Sequence, residues 1–129
     1  MMKTTEVGRI MDRRIVGVNA STKVSTAISL MKNTNVGIMP VIEDEKLVGI
    51  LDEHALMNEA KAGLGELSKK EVRSIMKEPL YVRVDNTIDE ALDYIIMHNA
   101  SRVAVVDSNM RCVGIVSATE ILDLKMREK

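Results

Sequence analysis

Two side chains that can hold a polar ligand stand three residues apart near the C-terminal end of the sequence. Ser117 and Glu120 follow the apolar run 111–116 and open a segment whose pattern predicts a helix. A hydroxyl beside the free N–H groups of a helix start suits a phosphate oxygen, and a carboxylate can accept both hydrogens of a vicinal diol. The same Ser-x-x-Glu spacing is that of a capping box, in which both side chains bond backbone N–H groups. The sequence leaves both interpretations open.

Arg102 is a second candidate for binding an anion. It follows Ser101 and begins a run of Val and Ala that predicts a strand. A guanidinium can contact a phosphate at two points. An arginine at the end of a strand can equally face solvent, so this position is also open to two interpretations.

No pattern indicates catalysis or a metal. Nucleophilic catalysis needs a base beside a Ser or Cys, and the chain has no Gly-x-Ser-x-Gly, phosphate-loop or HExxH sequence. His54 and His98 are far apart and have no evident metal partner. Cys112 lies in a predicted strand, where it is interpreted as a small buried hydrophobe. We therefore expect no enzyme activity and no metal site.

Composition and charge exclude several classes of function. The 129 residues carry a formal net charge of −1, which gives no electrostatic footprint for nucleic acid. No apolar run approaches the roughly 20 residues that span a bilayer, and the first residues lack a signal-peptide core. A lone cysteine cannot form an internal disulfide, so the cytoplasm is the expected compartment. The chain has ten Met but no Phe or Trp, so aliphatic residues and Met must fill the core.

The sequence repeats itself at an offset of 64 or 65 residues, as 104 − 40 and 72 − 7 show. Three motifs of the first half recur in the second: Val7-Gly8-Arg9-Ile10-Met11 as Val72-Arg73-Ser74-Ile75-Met76, Pro40-Val41-Ile42-Glu43 as Ala104-Val105-Val106-Asp107, and Leu47-Val48-Gly49-Ile50-Leu51 as Cys112-Val113-Gly114-Ile115-Val116. The one-residue slips fall where turns are expected, and turns tolerate length changes. Two copies of one unit therefore account for nearly the whole chain.

Each copy shows the same order of elements. A short helix ending at Met11 or Met76 comes first, and Ser68 with Glu71 predicts a capping box for the second of these. An extended segment, an amphipathic helix, two strands and a closing helix follow. The helix stripes have spacing i, i+3, i+4 and i+7, and they comprise Val24, Ala27, Ile28 and Met31 in one copy and Ile88, Ala91, Leu92 and Ile95 in the other.

This order predicts an α+β fold of two tandem βαββα repeats. The boundaries are about 4–62 for the first repeat, 63–67 for the junction and 68–127 for the second. One sheet face of each repeat is left over once its helices pack on the other face. We expect the repeats to pack sheet to sheet with pseudo-two-fold symmetry, which makes residues 1–129 a single module.

The order resembles the CBS motif, which is usually found in pairs. The matching segments are Gly37-Ile38-Met39-Pro40-Val41-Ile42-Glu43 and Leu47-Val48-Gly49-Ile50-Leu51, together with their counterparts in the second half. The resemblance implies a stand-alone CBS pair with two clefts between its repeats. In many members such a cleft holds an adenosine-containing ligand: AMP, ADP, ATP, S-adenosylmethionine or a dinucleotide. It also implies a homodimer, arranged as a flat disk of four repeats.

The resemblance assigns roles to the polar residues of the second repeat. The family's ribose and phosphate motif is a glycine, two apolar residues, Ser or Thr, two more residues and Asp. Here it corresponds to Gly114-Ile115-Val116-Ser117-Ala118-Thr119-Glu120, in which Glu120 replaces the Asp and is one methylene longer. A phosphate is expected near Ser117 and Arg102, and the ribose near Glu120.

By the same analogy, the first repeat completes this cleft. Thr22, which precedes the first amphipathic helix, and Val36, Gly37 and Ile38, which lead into the next strand, are the expected contributors. Ile38 and Ile115 would pack on the purine, while Gly37 would allow close approach of the backbone. Val36, Ile38 and Ile115 are also core candidates.

The corresponding motif of the first repeat is incomplete. Asp52 stands where the hydroxyl belongs and Ala55 where the carboxylate belongs. Asp52 is interpreted as a helix N-cap that would repel a phosphate. We expect this cleft to be empty or to take a ligand with no phosphate there.

Two functional hypotheses follow. The first is a regulatory or sensor module that binds an adenosine-type ligand without requiring a cofactor and signals to an effector protein. The second is a ligandless dimerisation or protein-interaction module, favoured by the incomplete first motif and by Glu120. Neither hypothesis involves nucleic acid or a membrane.

Overall fold

The computed structural model describes residues 5–127. Its first half contains β1 (Val18–Asn19), α1 (Val24–Thr34), β2 (Ile38–Glu43), β3 (Lys46–Asp52), α2 (Glu53–Glu59) and α3 (Leu64–Leu67). Its second half contains β4 (Tyr81–Arg83), α4 (Ile88–Met97), β5 (Arg102–Val106), β6 (Cys112–Ser117) and α5 (Ala118–Arg127). A 3-10 turn precedes each half, at Val7–Arg9 and Val72–Ser74. None of the helices in this range is long and apolar enough to cross a bilayer.

The strands form two three-stranded mixed sheets of identical topology. In each sheet the middle strand pairs parallel with the short strand before it and antiparallel with the strand after it, in the orders β1-β2-β3 and β4-β5-β6. Both antiparallel ladders shift register at the same place, between Val41 and Ile42 and between Val105 and Val106. The fold is α+β, as the repeats predict.

The chain divides into two compact units that differ from the sequence repeats. The first unit consists of residues 16–79, and the second of residues 5–15 together with residues 80–127. The 3-10 turn that opens each sequence repeat therefore belongs to the unit built on the sheet of the other repeat. The predicted single module and its boundaries remain a prediction, and residues 1–4 and 128–129 lie outside the described residues.

Equivalent backbone hydrogen bonds hold these exchanged segments in place. In the second unit, Val7 N–H donates to Asn86 O at 2.8 Å and Gly8 N–H to Val84 O at 3.0 Å. In the first unit, Val72 N–H donates to Thr22 O at 2.8 Å and Arg73 N–H to Ala20 O at 2.9 Å. Each exchanged segment thus satisfies backbone groups between a short strand and the helix that follows it.

The apolar stripes predicted for α1 and α4 face the cores, but one of the capping boxes predicted from the sequence does not form. Val24, Ala27 and Met31 of α1 are buried, as are Ile88, Ala91 and Ile95 of α4, while Ile28 and Leu92 are half-buried. Thr87 and Glu90 form the reciprocal capping box of α4. The capping box predicted for Ser68 and Glu71 is wrong, because the Ser68 hydroxyl donates to Gly65 O and Glu71 makes no side-chain cap.

Two glycines allow the exchanged segments to lie close to the sheets. A Cβ at Gly114 would stand 2.5 Å from Met11 Sδ, and one at Gly49 would stand 2.5 Å from Met76 Sδ. Beside each contact the backbone forms an antiparallel bridge, Asp12 with Ile115 and Lys77 with Ile50. Only glycine leaves room for the thioether at these strand positions.

Candidate functional site

The structure brings Arg102, Ser117 and Glu120 together at one end of the second sheet. Arg102 begins β5 and Ser117 ends β6, and the two are directly paired in the antiparallel ladder. Directly paired residues point to the same face of a sheet with Cβ atoms about 5 Å apart. Ala118 N–H donates to Ser101 O at 2.8 Å, which ties the start of α5 to the start of β5. Backbone hydrogen bonds therefore fix the positions of both strand ends and of the helix start relative to each other.

Ser117 and Glu120 form the capping box that their spacing allows. Glu120 N–H donates to Ser117 Oγ at 3.1 Å, and Ser117 N–H donates to Glu120 Oε1 at 3.2 Å. The Ser117 hydroxyl also donates to Glu120 Oε1, at 2.9 Å. Both bonds to the carboxylate use Oε1, and within residues 5–127 no hydrogen bond reaches Glu120 Oε2. That oxygen remains an acceptor at the helix start.

Arg102 provides a cation beside this helix start. Its side chain is exposed, and no hydrogen bond or ion pair within the described range engages the guanidinium. An unpaired guanidinium beside a serine hydroxyl and a helix N-terminus is a suitable environment for an oxyanion.

A pair of opposite charges, Asp12 and Arg14, lies along the edge of the same sheet. Asp12 bridges to Ile115 on β6, and its carboxylate accepts hydrogen bonds from Arg14, including one of 3.1 Å from Nη2 to Oδ2. The side-chain hydrogen bond from Arg14 is the main cause that lowers the pKa of Asp12. The Asp12 charge is therefore balanced locally rather than directed at Ser117.

The other predicted site residues lie on different elements. Thr22 precedes α1, where its hydroxyl accepts a hydrogen bond from Asn19 N–H at 3.1 Å. Val36 and Gly37 are half-buried before β2, and Gly37 O accepts from Glu53 N–H at 3.3 Å. Ile38 is buried and paired with Asp52, and Ile115 is buried in β6. Thr22, Val36, Gly37 and Ile38 belong to the first unit, and the other four predicted residues belong to the second.

At the corresponding strand end of the first unit, Asp52 is a helix N-cap, as expected. Its Oδ1 accepts from Ala55 N–H at 2.7 Å, and Lys77 Nζ donates to its Oδ2 at 2.8 Å. Partial burial raises the pKa of Asp52, but the hydrogen bonds from Lys77 and Ala55 outweigh this effect and the pKa is lowered. Sequence reasoning missed Lys77, although the repeat aligns it with Asp12. The ion pair offsets part of the repulsion that Asp52 would exert on a phosphate.

Each unit also has an open cleft between its short strand and its first long helix. The cleft of the first unit, about 330 Å³, is lined by Gly17, Val18, Asn19, Thr22, Thr26, Leu30 and Ile42. That of the second unit, about 340 Å³, is lined by Tyr81, Val82, Arg83, Asn86, Glu90 and Tyr94. Of the predicted residues, only Thr22 lines either cleft. Residues 5–127 contain no cluster of three or more His, Cys, Asp or Glu side chains suited to a metal ion.

Two α+β units of one design, each with a polar helix start at the end of its hairpin, define a tandem-repeat protein. A sequence profile of the CBS domain matches residues 7–62 and 72–127, so the chain belongs to the CBS domain family.

Relatives with known sequences are mostly longer proteins. An inosine-5'-monophosphate dehydrogenase of Thermoplasma acidophilum is 29% identical over 113 residues, which is 88% of this chain and 22% of the enzyme. An uncharacterized protein of Methanocaldococcus jannaschii is 24% identical over 119 residues, 92% of this chain and 39% of that protein. The chain thus spans well under half the length of these relatives. CBS pairs are generally regulatory domains.

Solved structures of CBS pairs share the fold and include complexes with adenosine compounds. CBSX2 in complex with AMP is 27% identical, has a TM-score of 0.79 and aligns over 95% of this chain and 97% of its own. The CBS pair of protein MJ0100, in complex with 5-methylthioadenosine and S-adenosyl-L-methionine, is 24% identical with a TM-score of 0.81 and aligns over 97% and 98%. The second likeness supports the fold only.

Proposed function

We propose that this chain is a regulatory module that binds an adenosine-containing ligand, such as AMP, ADP, ATP or S-adenosylmethionine. The observation that carries the proposal is the cluster of Arg102, Ser117 and Glu120 at one strand end. A cation that has no ion-pair partner among residues 5–127, a hydroxyl and a carboxylate lie there at a helix start. The AMP complex of CBSX2, a CBS pair similar over nearly the whole chain, supports the choice of ligand class.

The chemistry of the cluster suggests how such a ligand would be held. The Arg102 guanidinium and the N–H groups at the start of α5 suit phosphate oxygens. Glu120 Oε2 can accept from a ribose hydroxyl while Oε1 keeps its capping bonds, so the cap and the ligand do not have to compete. The proposal extends to Thr22, Val36, Gly37, Ile38 and Ile115 on the adenosine side, as the family resemblance implies.

The wider role follows from this proposal. Ligand binding would change the affinity of the module for an effector protein, which would thereby respond to the ligand. We also propose that the module works as a homodimer in the cytoplasm.

Thermal unfolding of the purified protein with each ligand tests the proposal. AMP, ADP, ATP, S-adenosylmethionine and NADH are added separately, each beside a ligand-free control. A ligand at 100 times its Kd stabilises the folded state by about 2.7 kcal/mol. For a domain of this size, the expected rise in Tm is roughly 5–15 °C.

Variants then locate the site. Arg102→Ala should remove the Tm rise, and Arg102→Lys should reduce it because a lysine keeps the charge but loses the two-point contact. Arg83→Ala is the matched control, since Arg83 is also an exposed strand arginine of the second unit. A Tm rise that survives Arg102→Ala and Glu120→Ala would contradict this location.

The closed cap between Ser117 and Glu120 favours a second candidate function, a ligandless interaction module. In that case the two side chains serve only to start α5. The absence of a Tm rise with every ligand would support this candidate and reject the first.

A further inference from the structure

The ion pair of Asp12 and Arg14 lies on the sheet face that carries the candidate ligand site. Asp12 and Ile115 exchange two backbone hydrogen bonds, of 2.8 and 2.9 Å, so their side chains point to the same face. Ser117, two residues after Ile115, and its partner Arg102 share this face. Diagonal neighbours such as Asp12 and Ser117 lie about 7–8 Å apart. The Asp12 charge is therefore close enough to act on a phosphate held beside Ser117.

The first unit shows that a side chain at this position can contact the helix start. Lys77, which the repeat aligns with Asp12, forms the equivalent backbone bridge with Ile50. Its Nζ donates to Oδ2 of Asp52, the residue aligned with Ser117, at 2.8 Å. The aligned position thus supplies a cation to the strand end of the first unit and an anion to that of the second.

Arg14 is engaged by Asp12 in the ligand-free chain. Its Nη2 donates to Asp12 Oδ2 at 3.1 Å, and its backbone N–H donates to Oδ1 at 2.9 Å. The Arg14 side chain is 89% exposed, and an ion pair of this kind contributes little to stability. The pair is therefore not needed for the fold, but it keeps the Arg14 guanidinium on Asp12 and away from a bound anion.

The formal charges around the strand end cancel. Arg102 is a cation, and Glu120 carries a negative charge at the same helix start. Asp12 adds a second negative charge, which Arg14 offsets. These four side chains therefore offer one guanidinium to a phosphate but no net positive charge. Every further phosphate adds negative charge to the ligand, and none of the four is a cation free to receive it.

We propose that the Asp12–Arg14 pair restricts this site to adenosine ligands of low negative charge, with one phosphate or none, and discriminates against ATP. The inference rests on the adenosine-binding function proposed above and names the ligand class within it. A single phosphate is served by Arg102 and the N–H groups at the start of α5. The additional phosphates of ATP would bring more negative charge near the Asp12 carboxylate.

Isothermal titration calorimetry with AMP and with ATP, in the absence of divalent cations, tests this inference. The wild-type chain should bind AMP at least about 10-fold more tightly than ATP. Asp12→Asn should tighten ATP binding by about 10-fold and AMP binding by about 3-fold or less, because it removes a negative charge and releases the Arg14 guanidinium. The Asn side chain retains an oxygen that can accept from Arg14 N–H, so the local turn is preserved.

Asp107→Asn is the matched control. Asp107 Oδ1 also accepts from the backbone N–H two residues on, that of Asn109, at 2.8 Å. Asp107 follows β5 at the end opposite Arg102, roughly 16 Å away along the strand, which exceeds the Debye length of about 8–10 Å. This control should leave the ratio of the ATP and AMP Kd values within about two-fold of wild type.

Two further measurements separate a charge effect from a change in packing. The effect of Asp12→Asn on the Kd ratio should shrink as NaCl is raised from about 50 to about 500 mM, because salt screens exposed charges. Arg14→Ala leaves Asp12 without this partner and should widen the preference for AMP. Far-UV circular dichroism and urea unfolding confirm the fold of each variant.

The outcomes distinguish this inference from the function on which it rests. Failure of the wild-type chain to bind either nucleotide rejects both. Binding of ATP as tightly as AMP, or a Kd ratio that Asp12→Asn leaves unchanged, overturns the charge restriction alone and leaves adenosine binding standing. A preference for AMP that Asp12→Asn reduces and Asp107→Asn retains supports it.

Discussion

Gly114→Ala should destabilise the protein because the added methyl group meets the Met11 side chain. A Cβ at this position would stand 2.5 Å from Met11 Sδ, 2.7 Å from Met11 Cγ and 3.1 Å from Asp12 O. Met11 is only 8% exposed, so its thioether has little free space into which it can move. The Asp12 carbonyl is fixed by a 2.9 Å hydrogen bond from Ile115 N–H. The backbone therefore cannot retreat without losing the bridge between this segment and β6.

The expected loss is about 1–3 kcal/mol, the usual cost of overpacking a filled core. Urea unfolding measures it, and a lower midpoint at an unchanged m-value indicates a true change in stability. Gly65→Ala is the control, because within residues 5–127 no atom outside its chain neighbours and its own helix backbone lies within 4 Å of its Cβ position. Since Gly65 lies in α3, alanine there should be neutral or stabilise the protein by up to about 1 kcal/mol.

A double-mutant cycle identifies the clash itself. Met11→Ala alone should cost about 2–5 kcal/mol through the cavity that it leaves. In the double variant the Gly114→Ala methyl group enters that cavity, so the combined loss should fall short of the sum by at least about 1 kcal/mol. Additive losses, or a Gly114→Ala protein as stable as wild type, would refute the proposed close contact.

Three further predictions concern individual contacts. Lys77→Met should lower stability at pH 7 by less than about 1 kcal/mol, because the Asp52 ion pair is exposed. As the folded pKa of Asp52 lies below its unfolded value, the ion pair contributes fully above about pH 4. The stabilising effect of the ion pair should fade as the pH drops through the folded pKa of Asp52. Urea unfolding of wild type and Lys77→Met at pH 7 and pH 3 measures this effect, and an equal stability difference between the two proteins at both pH values would contradict the assignment. Thr87→Ala should cost about 1 kcal/mol by removing the N-cap of α4, and an unchanged urea midpoint would argue against the capping box. Cys112 should react slowly with a thiol-specific reagent at neutral pH and faster in urea, because burial raises its pKa; equal rates would show that the thiol is exposed.

The sequence predicted the elements of the fold because its repeats and helix stripes have simple periods. The stripe of Val24, Ala27 and Met31, for example, marks a buried helix face without any knowledge of its partners. The exchange of residues 5–15 between units was not predictable. A repeat offset shows that Met11 and Met76 are equivalent, but it does not say which sheet each one packs on.

The candidate site was predictable in part. The spacing of Ser117 and Glu120 indicated both a cap and a ligand site, and the structure shows the cap. The pairing of Arg102 with Ser117 depends on the β5–β6 register, and hence on where a bulge falls in the hairpin. The ion pair of Asp52 with Lys77 joins residues 25 positions apart, and no local pattern indicates it.

Amide chemical shifts of 15N-labelled protein titrated with AMP test the central claim most directly. The account predicts saturable shifts that are largest at Arg102, at Ser117 and Ala118 at the start of α5, and at Glu120. These shifts should be absent in Arg102→Ala and retained in Arg83→Ala. Unchanged spectra at saturating AMP, or shifts confined to the cleft lined by Tyr81 and Tyr94, would contradict it.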